Sequence, residues 1–120
     1  MPVRISPRSL IGLLALVAAV ALANFGWGEF RASQLGTQVA QAARAGDIEM
    51  LSSVTCVYCD AARAWFDEHE VPIRECFIER DADCAARFAA LQSPGTPLLL
   101  VRGERQVGFS PARVAEALGR

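Results

Sequence analysis

The sequence predicts one small α/β domain, in which helices flank a four-stranded mixed sheet, preceded by a single N-terminal hydrophobic helix. From Asp47 onward, candidate strands and helices follow in the order β-α-β-α-β-β-α. Pro97 to Val101 is almost wholly apolar, as expected of a central strand that is buried on both faces. Leu10 to Ala23 is an uncharged apolar run outside this pattern. Because helices separate the first three strands, we expect those strands to be parallel, with the last strand added as an antiparallel edge.

The N-terminal segment bears on the compartment. Arg4 and Arg8 precede the apolar run, which extends to Trp27 if Asn24 is tolerated. The longer run is able to span a bilayer as an uncleaved anchor, with Trp27 at the interface. The shorter run has the length of a signal peptide, and Ala21 to Ala23 fits its cleavage pattern. A buried helix of a soluble domain is the third alternative. Because Arg4 and Arg8 precede the apolar run, the positive-inside rule keeps the N-terminus in the cytoplasm. We therefore expect a bacterial-type inner-membrane protein whose domain faces the periplasm, or a cleaved form secreted to the periplasm.

Residues 29–46 are predicted to form a linker, because they are polar, rich in Ala and Gln, and free of proline. This linker is either a short amphipathic helix or a solvated spacer. Four of its residues fall at helical spacing: Leu35, Val39, Ala42 and Ala43. The expected organisation is residues 1–28 as a transmembrane anchor or signal peptide, 29–46 as the linker and 47–120 as the folded domain.

The predicted elements of the domain have local start and stop signals. Val71-Pro72 ends the first helix, because a residue before proline avoids helical geometry. Pro111 suits the first turn of the last helix, where a backbone N–H would be unpaired in any case. In order, the elements are strand Ile48–Leu51, helix Tyr58–Glu70, strand Ile73–Ile78, a helix N-capped by Asp81, strand Pro97–Val101, the hairpin Arg102–Gly108 and a helix N-capped by Ser110.

The segment Cys56-Val57-Tyr58-Cys59 lies where the first strand passes into the first helix of the domain. A thiolate is the attacking species in disulfide exchange, and a helix N-terminus stabilises a thiolate through its unpaired N–H groups. Cys56 holds that position, and Cys59 lies one turn further into the helix. We therefore predict that Cys56 attacks a substrate disulfide and that Cys59 resolves the resulting mixed disulfide.

Two cysteines separated by two residues are also half of a zinc site. The other cysteines, Cys76 and Cys84, are separated by seven residues and lie on a predicted strand and helix, so they form no second half-site. His69 is the only histidine and falls at a helix C-terminus, where solvation or a dipole interaction is expected. The redox interpretation is preferred, with no metal and no cofactor. The alternative function is a non-catalytic binding module, or a metal- or iron–sulfur-binding protein using the same cysteines.

Cys76 and Cys84 have two structural interpretations of their own. In an oxidising compartment spare thiols tend to pair, and the short loop between these two is able to close a bridge that joins strand and helix. Otherwise they are two small buried hydrophobic residues, since free cysteine is among the most buried residue types.

Four segments together resemble the glutaredoxin family of the thioredoxin superfamily. They are Ile48 to Ser53, the CxxC of Cys56 and Cys59, Gly95-Thr96-Pro97 opening a buried strand, and Gly108-Phe109 before the last helix. The resemblance covers about residues 47–119 and implies a thioredoxin-like fold with thiol–disulfide oxidoreductase activity. It also implies that Pro97 is cis and faces the CxxC, and that the backbone of Thr96 pairs with a bound peptide or glutathione. The substrate-binding residues that it implies are Tyr58, Thr96, Pro97, Gly108 and Phe109.

Departures from the family pattern bear on the partner. Ser52 to Thr55 are uncharged where many glutaredoxins carry a basic residue, and Val57 replaces the usual proline. Val107 to Pro111 replaces the signature that holds the γ-glutamyl group of glutathione, and is more similar to the redoxins that serve ribonucleotide reductase. Phe109 is expected to present an apolar surface beside Pro97. We therefore expect a protein disulfide or dithiol as partner and weak turnover of glutathione. A formal net charge of −1 predicts no nucleic-acid partner.

Overall fold

A computed structural model describes residues 6–120 of the chain. Arg4, one of the two arginines behind the orientation prediction, lies outside the described residues. The described residues form α1 (Pro7–Ala42), β1 (Ile48–Ser52), α2 (Val57–Glu68), β2 (Arg74–Phe77), α3 (Ala82–Ala90), β3 (Leu98–Val101), β4 (Glu104–Val107) and α4 (Pro111–Leu118).

Helix α1 is 36 residues long. At 1.5 Å per residue this is about 54 Å, more than the ~30 Å hydrocarbon core of a bilayer. Its apolar window has a mean hydropathy of 2.1, and none of that window is buried. Length and composition are therefore sufficient for a membrane span, and a signal sequence has the same features. The chain divides into two compact units, one ending at Gln34 and one spanning Leu35–Arg120.

The last two turns of α1 belong to the second compact unit. Val39 is fully buried there, and Leu35, Ala42 and Ala43 pack against the same core. Helical spacing places these four side chains on one face, so the helix buries that face against the domain. This part of the predicted linker is therefore not a solvated spacer, and the compact unit begins 12 residues before Asp47.

The four-stranded mixed sheet is as predicted, with the strand order β2-β1-β3-β4. Strand β1 is parallel to β2 and antiparallel to β3, and β3 is antiparallel to β4. The prediction that the first three strands are parallel is therefore wrong for β3. The chain leaves the sheet where β2 ends, passes through α3, and returns through residues 91–97 to that same end. A helix of sufficient length permits a parallel crossover but does not require one, because the loop after the helix sets the direction of the next strand.

Helices cover both faces of this sheet. The end of α1, together with α2 and α4, packs on one face against Met50 and Leu99. Helix α3 packs on the other face against Leu51 and Leu98. Neighbouring residues of a strand point to opposite faces, so β1 and β3 contribute side chains to both clusters. For β3 this confirms the prediction of a strand buried on both sides.

Arg102, in the turn between β3 and β4, ties two helix ends to the sheet. Its guanidinium donates to the carbonyl oxygens of Leu118 at 2.8 Å and Ala42 at 3.3 Å, and to a carboxylate oxygen of Asp47 at 3.2 Å. The last carbonyls of a helix have no partner within it, and a cation there is favourable. The backbone N–H of Arg44, together with Arg102, keeps the pKa of Asp47 below its ordinary value. This cluster lies at the beginning of β1, at the opposite end from the CxxC segment.

Candidate functional site

Cys56 is the N-cap of α2, after the short turn that follows β1. Its Sγ accepts a hydrogen bond from the backbone N–H of Cys59 at 3.1 Å, and the two residues form a disulfide with a Cα–Cα distance of 5.2 Å. Cys56 is half-buried, whereas Cys59 is fully buried in the first turn of the helix. The cysteine at the helix N-terminus is thus the more accessible of the two.

Exposed apolar side chains flank this disulfide in the chain. Val57 and Tyr58 are each 74% exposed, and Val54 is 46% exposed. Within residues 35–120 these are the three large apolar side chains that lie exposed. We call Val54, Val57 and Tyr58 the apolar tip. Concentrated apolar surface on an otherwise polar domain marks a place where another molecule docks.

An open groove of 570 Å³ lies against the first two turns of α2. Its other walls are the loop that enters β3 and the segment that leaves β4. All nine lining residues are uncharged: Tyr58, Ala61, Pro94, Gly95, Thr96, Pro97, Val107, Gly108 and Phe109. The five residues that the sequence predicts to bind substrate are among them, so the fold brings them together. Their role in binding stays a prediction.

The groove wall formed by Pro97, Gly108 and Phe109 is held by specific contacts. The Thr96–Pro97 bond is cis, as predicted. The N–H of Gly108 donates to the carbonyl of Pro97 at 2.9 Å, and Gly108 has a φ of 76°, which glycine adopts without strain. The Phe109 ring packs against Trp65 and Phe66 of α2, with centroid distances of 5.4 and 5.1 Å. Phe109 therefore contributes to the groove while its ring is supported from the helix side.

Glu79 holds the turn that leads into Cys56. Its carboxylate accepts hydrogen bonds from the Ser53 hydroxyl and from the backbone N–H of Val54, the latter at 3.1 Å. The bond from Ser53 is the main reason that the pKa of Glu79 lies below its ordinary value. Sequence reasoning missed this residue, because it lies 25 residues from Val54 and no local pattern joins the two.

Arg63 links α2 to strand β2. Its guanidinium donates to both carboxylate oxygens of Glu75, at 2.7 and 2.5 Å, and to Asp60 at 2.9 Å. These bonds raise the pKa of Arg63. Burial alone would raise the pKa of Glu75, but the hydrogen bond and charge of Arg63 outweigh burial, and the pKa is lowered. This cation is therefore engaged in joining helix to sheet.

Cys76 and Cys84 form a disulfide between β2 and α3, with a Cα–Cα distance of 6.0 Å. Cys84 is 2% exposed and lies in the apolar cluster on the face of the sheet covered by α3.

His69 is the C-cap residue of α2, where its ring stacks on Trp65 at a centroid distance of 4.4 Å. Within residues 6–120, no group of three or more His, Cys, Asp or Glu side chains is arranged to hold a metal ion.

Comparisons with solved structures define the class of the domain. A mutant of the thioredoxin-like protein BC3987 superposes with a TM-score of 0.56 at 23% identity, covering 62% of this chain and 96% of that one. For the glutaredoxin from Methanosarcina mazei Go1 the TM-score is 0.52 at 18% identity, with 62% and 80% covered. For a buckwheat glutaredoxin in complex with glutathione it is 0.50 at 14% identity, with 76% and 89% covered. At these identities the comparisons establish a thioredoxin-like fold.

The family follows from the sequence of the same segment. Residues 48–106 match the family model described as Glutaredoxin. The match begins at β1, includes the CxxC and the cis proline, and ends within β4. The chain therefore carries a glutaredoxin domain. Among curated protein sequences, none matches the chain significantly.

Proposed function

We propose that this protein is a thiol–disulfide oxidoreductase in which Cys56 is the nucleophile and Cys59 the resolving cysteine. The observation that carries the proposal is the N-cap position of Cys56, where the Cys59 N–H already points at its sulfur. Disulfide exchange requires a thiolate, and this N–H and the helix dipole favour the charged form of that sulfur. The family supports the same chemistry.

The exchange proceeds in two displacements. The reduced Cys56 thiolate attacks one sulfur of the substrate disulfide, the substrate S–S bond breaks, and the departing sulfur leaves as a thiolate. The Cys59 thiolate then attacks the Cys56 sulfur of the mixed disulfide and releases the second substrate sulfur as a thiolate. The released thiolates take protons from solvent. Two electrons pass from the cysteine pair to the substrate, and the reverse sequence oxidises a substrate dithiol.

A protein partner suits the surroundings of Cys56 better than glutathione does. Glutathione carries two carboxylates, which bind most strongly to cationic donors, whereas every residue lining the groove is uncharged. Two cations that could receive such carboxylates are engaged elsewhere. Arg87 is paired with Glu49, and Arg102 lies in the cluster at the beginning of β1. The exposed apolar tip, together with the half-buried Phe109 in the groove wall, instead offers apolar surface of the kind found at the centre of protein interfaces. The buckwheat glutaredoxin has a similar fold and was solved in complex with glutathione, so the fold by itself does not decide the partner.

We further propose that residues 1–28 are a membrane anchor and that the domain faces the periplasm. The support is the apolar helix, with Arg8 at its beginning and Trp27 near the expected interface. The Cys76–Cys84 bridge fits an oxidising compartment. Fusing alkaline phosphatase after Arg120 tests the orientation: the enzyme should be active, and activity of a cytosol-only reporter in its place would contradict it.

The redox proposal is tested with the reduced full-length protein in detergent and an artificial disulfide substrate. We expect Cys56→Ser to lower the rate to that of the uncatalysed reaction, because a hydroxyl is not a nucleophile near neutral pH. Cys59→Ser is the matched variant: it should still attack once and then accumulate as a mixed disulfide, detected by intact-mass measurement. Equal rates for Cys56→Ser and the wild type would contradict the proposal and favour a docking module.

The partner is tested separately. A glutathione-reductase-coupled assay with a small mixed-disulfide substrate compares this protein with an established glutaredoxin. We expect the rate to be much lower for this protein and exchange with a protein dithiol to be faster. Comparable rates for the two proteins would contradict the preference for a protein partner.

A further inference from the structure

The turn that leads into the active cysteine is held from outside by one side chain. Glu79 lies between β2 and α3 and is exposed. One of its carboxylate oxygens accepts from the Ser53 hydroxyl, and the other accepts from the Val54 N–H at 3.1 Å. A carboxylate is acceptor-only, so it satisfies a hydroxyl and an N–H together. Hydrogen bonds of this charge-assisted kind are stronger than neutral ones.

The same turn sets the backbone of Cys56. The N–H of Cys56 donates to the carbonyl of Ser53 at 3.3 Å, which closes the turn. Cys56 then has an extended backbone, with φ −98° and ψ 104°, as an N-cap residue requires. This conformation lets its sulfur accept from the N–H of Cys59. A side chain that fixes Ser53 and Val54 therefore affects the direction in which the Cys56 sulfur points, without contacting that sulfur.

The segment that carries Glu79 is itself fixed at both ends. The N–H of Ile78 donates to the carbonyl of Ser52 at 2.9 Å, and the N–H of Asp81 donates to the carbonyl of Phe77 at 3.1 Å. The Cys76–Cys84 bridge closes this segment covalently. The carboxylate therefore belongs to a rigid support and not to a free loop.

We infer that Glu79 is a positioning residue for disulfide exchange at Cys56, acting through its hydrogen bonds to the Ser53–Val54 turn, with the Cys76–Cys84 bridge holding it in place. This rests on the proposed function of Cys56. The bonds align the Cys56 sulfur with the N-terminus of α2, so that the thiolate formed there is stabilised and presented to a partner.

The hydrogen bonds of Glu79 and its negative charge have opposite expected effects on the rate of disulfide exchange at Cys56. Val54 is two residues from Cys56 and its N–H bonds to the carboxylate at 3.1 Å, so the carboxylate lies within about 12 Å of the Cys56 Cα. A negative charge at that distance would disfavour the thiolate, though weakly, because exposed charges are screened over about 8–10 Å. Arg80, next in the chain, offsets part of that charge. If charge dominated, removing it would speed the reaction; if geometry dominates, removing the hydrogen bonds slows it.

Three variants of the full-length protein, in which the Cys56–Cys59 pair is reduced and the Cys76–Cys84 bridge is kept intact, separate these effects. Glu79→Ala removes both acceptors. Glu79→Gln removes the charge but is able to remake both contacts, since its amide oxygen accepts from Val54 and its NH₂ donates to the Ser53 oxygen. Glu68→Ala is the control, because Glu68 is an exposed glutamate at the other end of α2. The measurement is the rate of Cys56 alkylation and of disulfide exchange between about pH 5 and pH 9.

We expect Glu79→Ala to slow exchange about 3- to 10-fold, the effect of losing one or two hydrogen bonds, and to move the alkylation midpoint to higher pH. Glu79→Gln should stay within about 2-fold of the wild type, because its contacts are remade. Ser53→Ala removes one of the two bonds from the other side and should give a smaller slowing that is not additive with Glu79→Ala. This second variant decides the matter if Glu79→Ala fails to fold.

An unchanged or faster Glu79→Ala variant would overturn the inference, as would a Glu79→Gln variant as slow as Glu79→Ala. Full additivity of Ser53→Ala and Glu79→Ala would overturn it as well. These outcomes are distinct from failure of the proposed function, in which the wild type itself would show no exchange above that of Cys56→Ser.

Discussion

Two helices of the domain begin in nearly the same way and differ in one atom type. Cys59 and Cys84 each occupy the third position of a helix, α2 and α3, and each is almost fully buried. Each donates its backbone N–H to the side chain of the N-cap residue. In α2 that acceptor is the sulfur of Cys56 at 3.1 Å, and in α3 it is a carboxylate oxygen of Asp81 at 3.2 Å.

Under the proposed function, this difference distinguishes the reactive cysteine pair from the structural one. A helix N-terminus stabilises whichever acceptor lies on it. In α2 the acceptor is the Cys56 sulfur itself, so the helix N-terminus favours the thiolate that disulfide exchange requires. In α3 the carboxylate already holds that place, and Cys84 bonds instead to Cys76 from the neighbouring strand. The surroundings of the two disulfides therefore differ, which is why we propose different roles for them.

The largest effect is expected from removing the structural pair. Cys76→Ser combined with Cys84→Ser should lower the free energy of unfolding by about 2–3 kcal/mol, because the bridge no longer restricts the unfolded chain. Exchange at Cys56 should fall by no more than about 10-fold, through looser support of Glu79. Denaturant unfolding and the exchange assay are run on the same protein.

The control for that double variant is Cys56→Ser, which should lose exchange while folding normally. If instead the double variant lost exchange completely and kept its stability, Cys76 and Cys84 would be a second redox pair and the distinction between the two helices would fail.

A second difference lies in how the two helices are tied to strand β2. Helix α3 is joined by the disulfide at Cys76, whereas α2 is joined by the ion pair of Arg63 with Glu75, the preceding residue. Glu75→Gln should lower the free energy of unfolding by about 1–2 kcal/mol at pH 7, because it weakens a charge-assisted pair of which the carboxylate is 14% exposed. Asp60→Asn, which alters the exposed partner of Arg63, should cost about 0.5 kcal/mol or less.

The pH dependence of the Glu75 effect has a definite sign. The pKa of Glu75 is lower in the folded protein than its ordinary value of 4.5. Its contribution is therefore fully present above pH 4.5 and is lost as the pH falls through the folded-state pKa. The stability difference between wild type and Glu75→Gln should shrink in that acidic range. A difference that grew on acidification would contradict this assignment.

The contrast between the helices also shows what the sequence was able to predict. The N-caps Asp81 and Ser110 and the CxxC at the start of α2 were found because capping residues and helical spacing are local signals. The direction of β3 was not found, because it depends on where a loop returns the chain. The contact of Glu79 with Val54 was not found either, since it joins side chain to backbone across 25 residues.

The smallest effect is expected at the cap of α3. Asp81 accepts from the N–H groups of Asp83 and Cys84, so Asp81→Ala should lower the free energy of unfolding by about 1 kcal/mol. Asp81→Ser keeps an acceptor and should recover most of that loss. Asp83→Ala is the control, because Asp83 is exposed and acts on the helix by its charge alone, worth about 0.5 kcal/mol. Equal losses for the two alanine variants would show that Asp81 acts by charge and not as a cap.

The corresponding change in α2, Cys56→Ser, also leaves a hydroxyl acceptor at the N-cap, so the reduced protein should keep its helix while exchange is lost. The effect of the cap residue is therefore measured as a change in the free energy of unfolding at α3, and as a change in the exchange rate at α2.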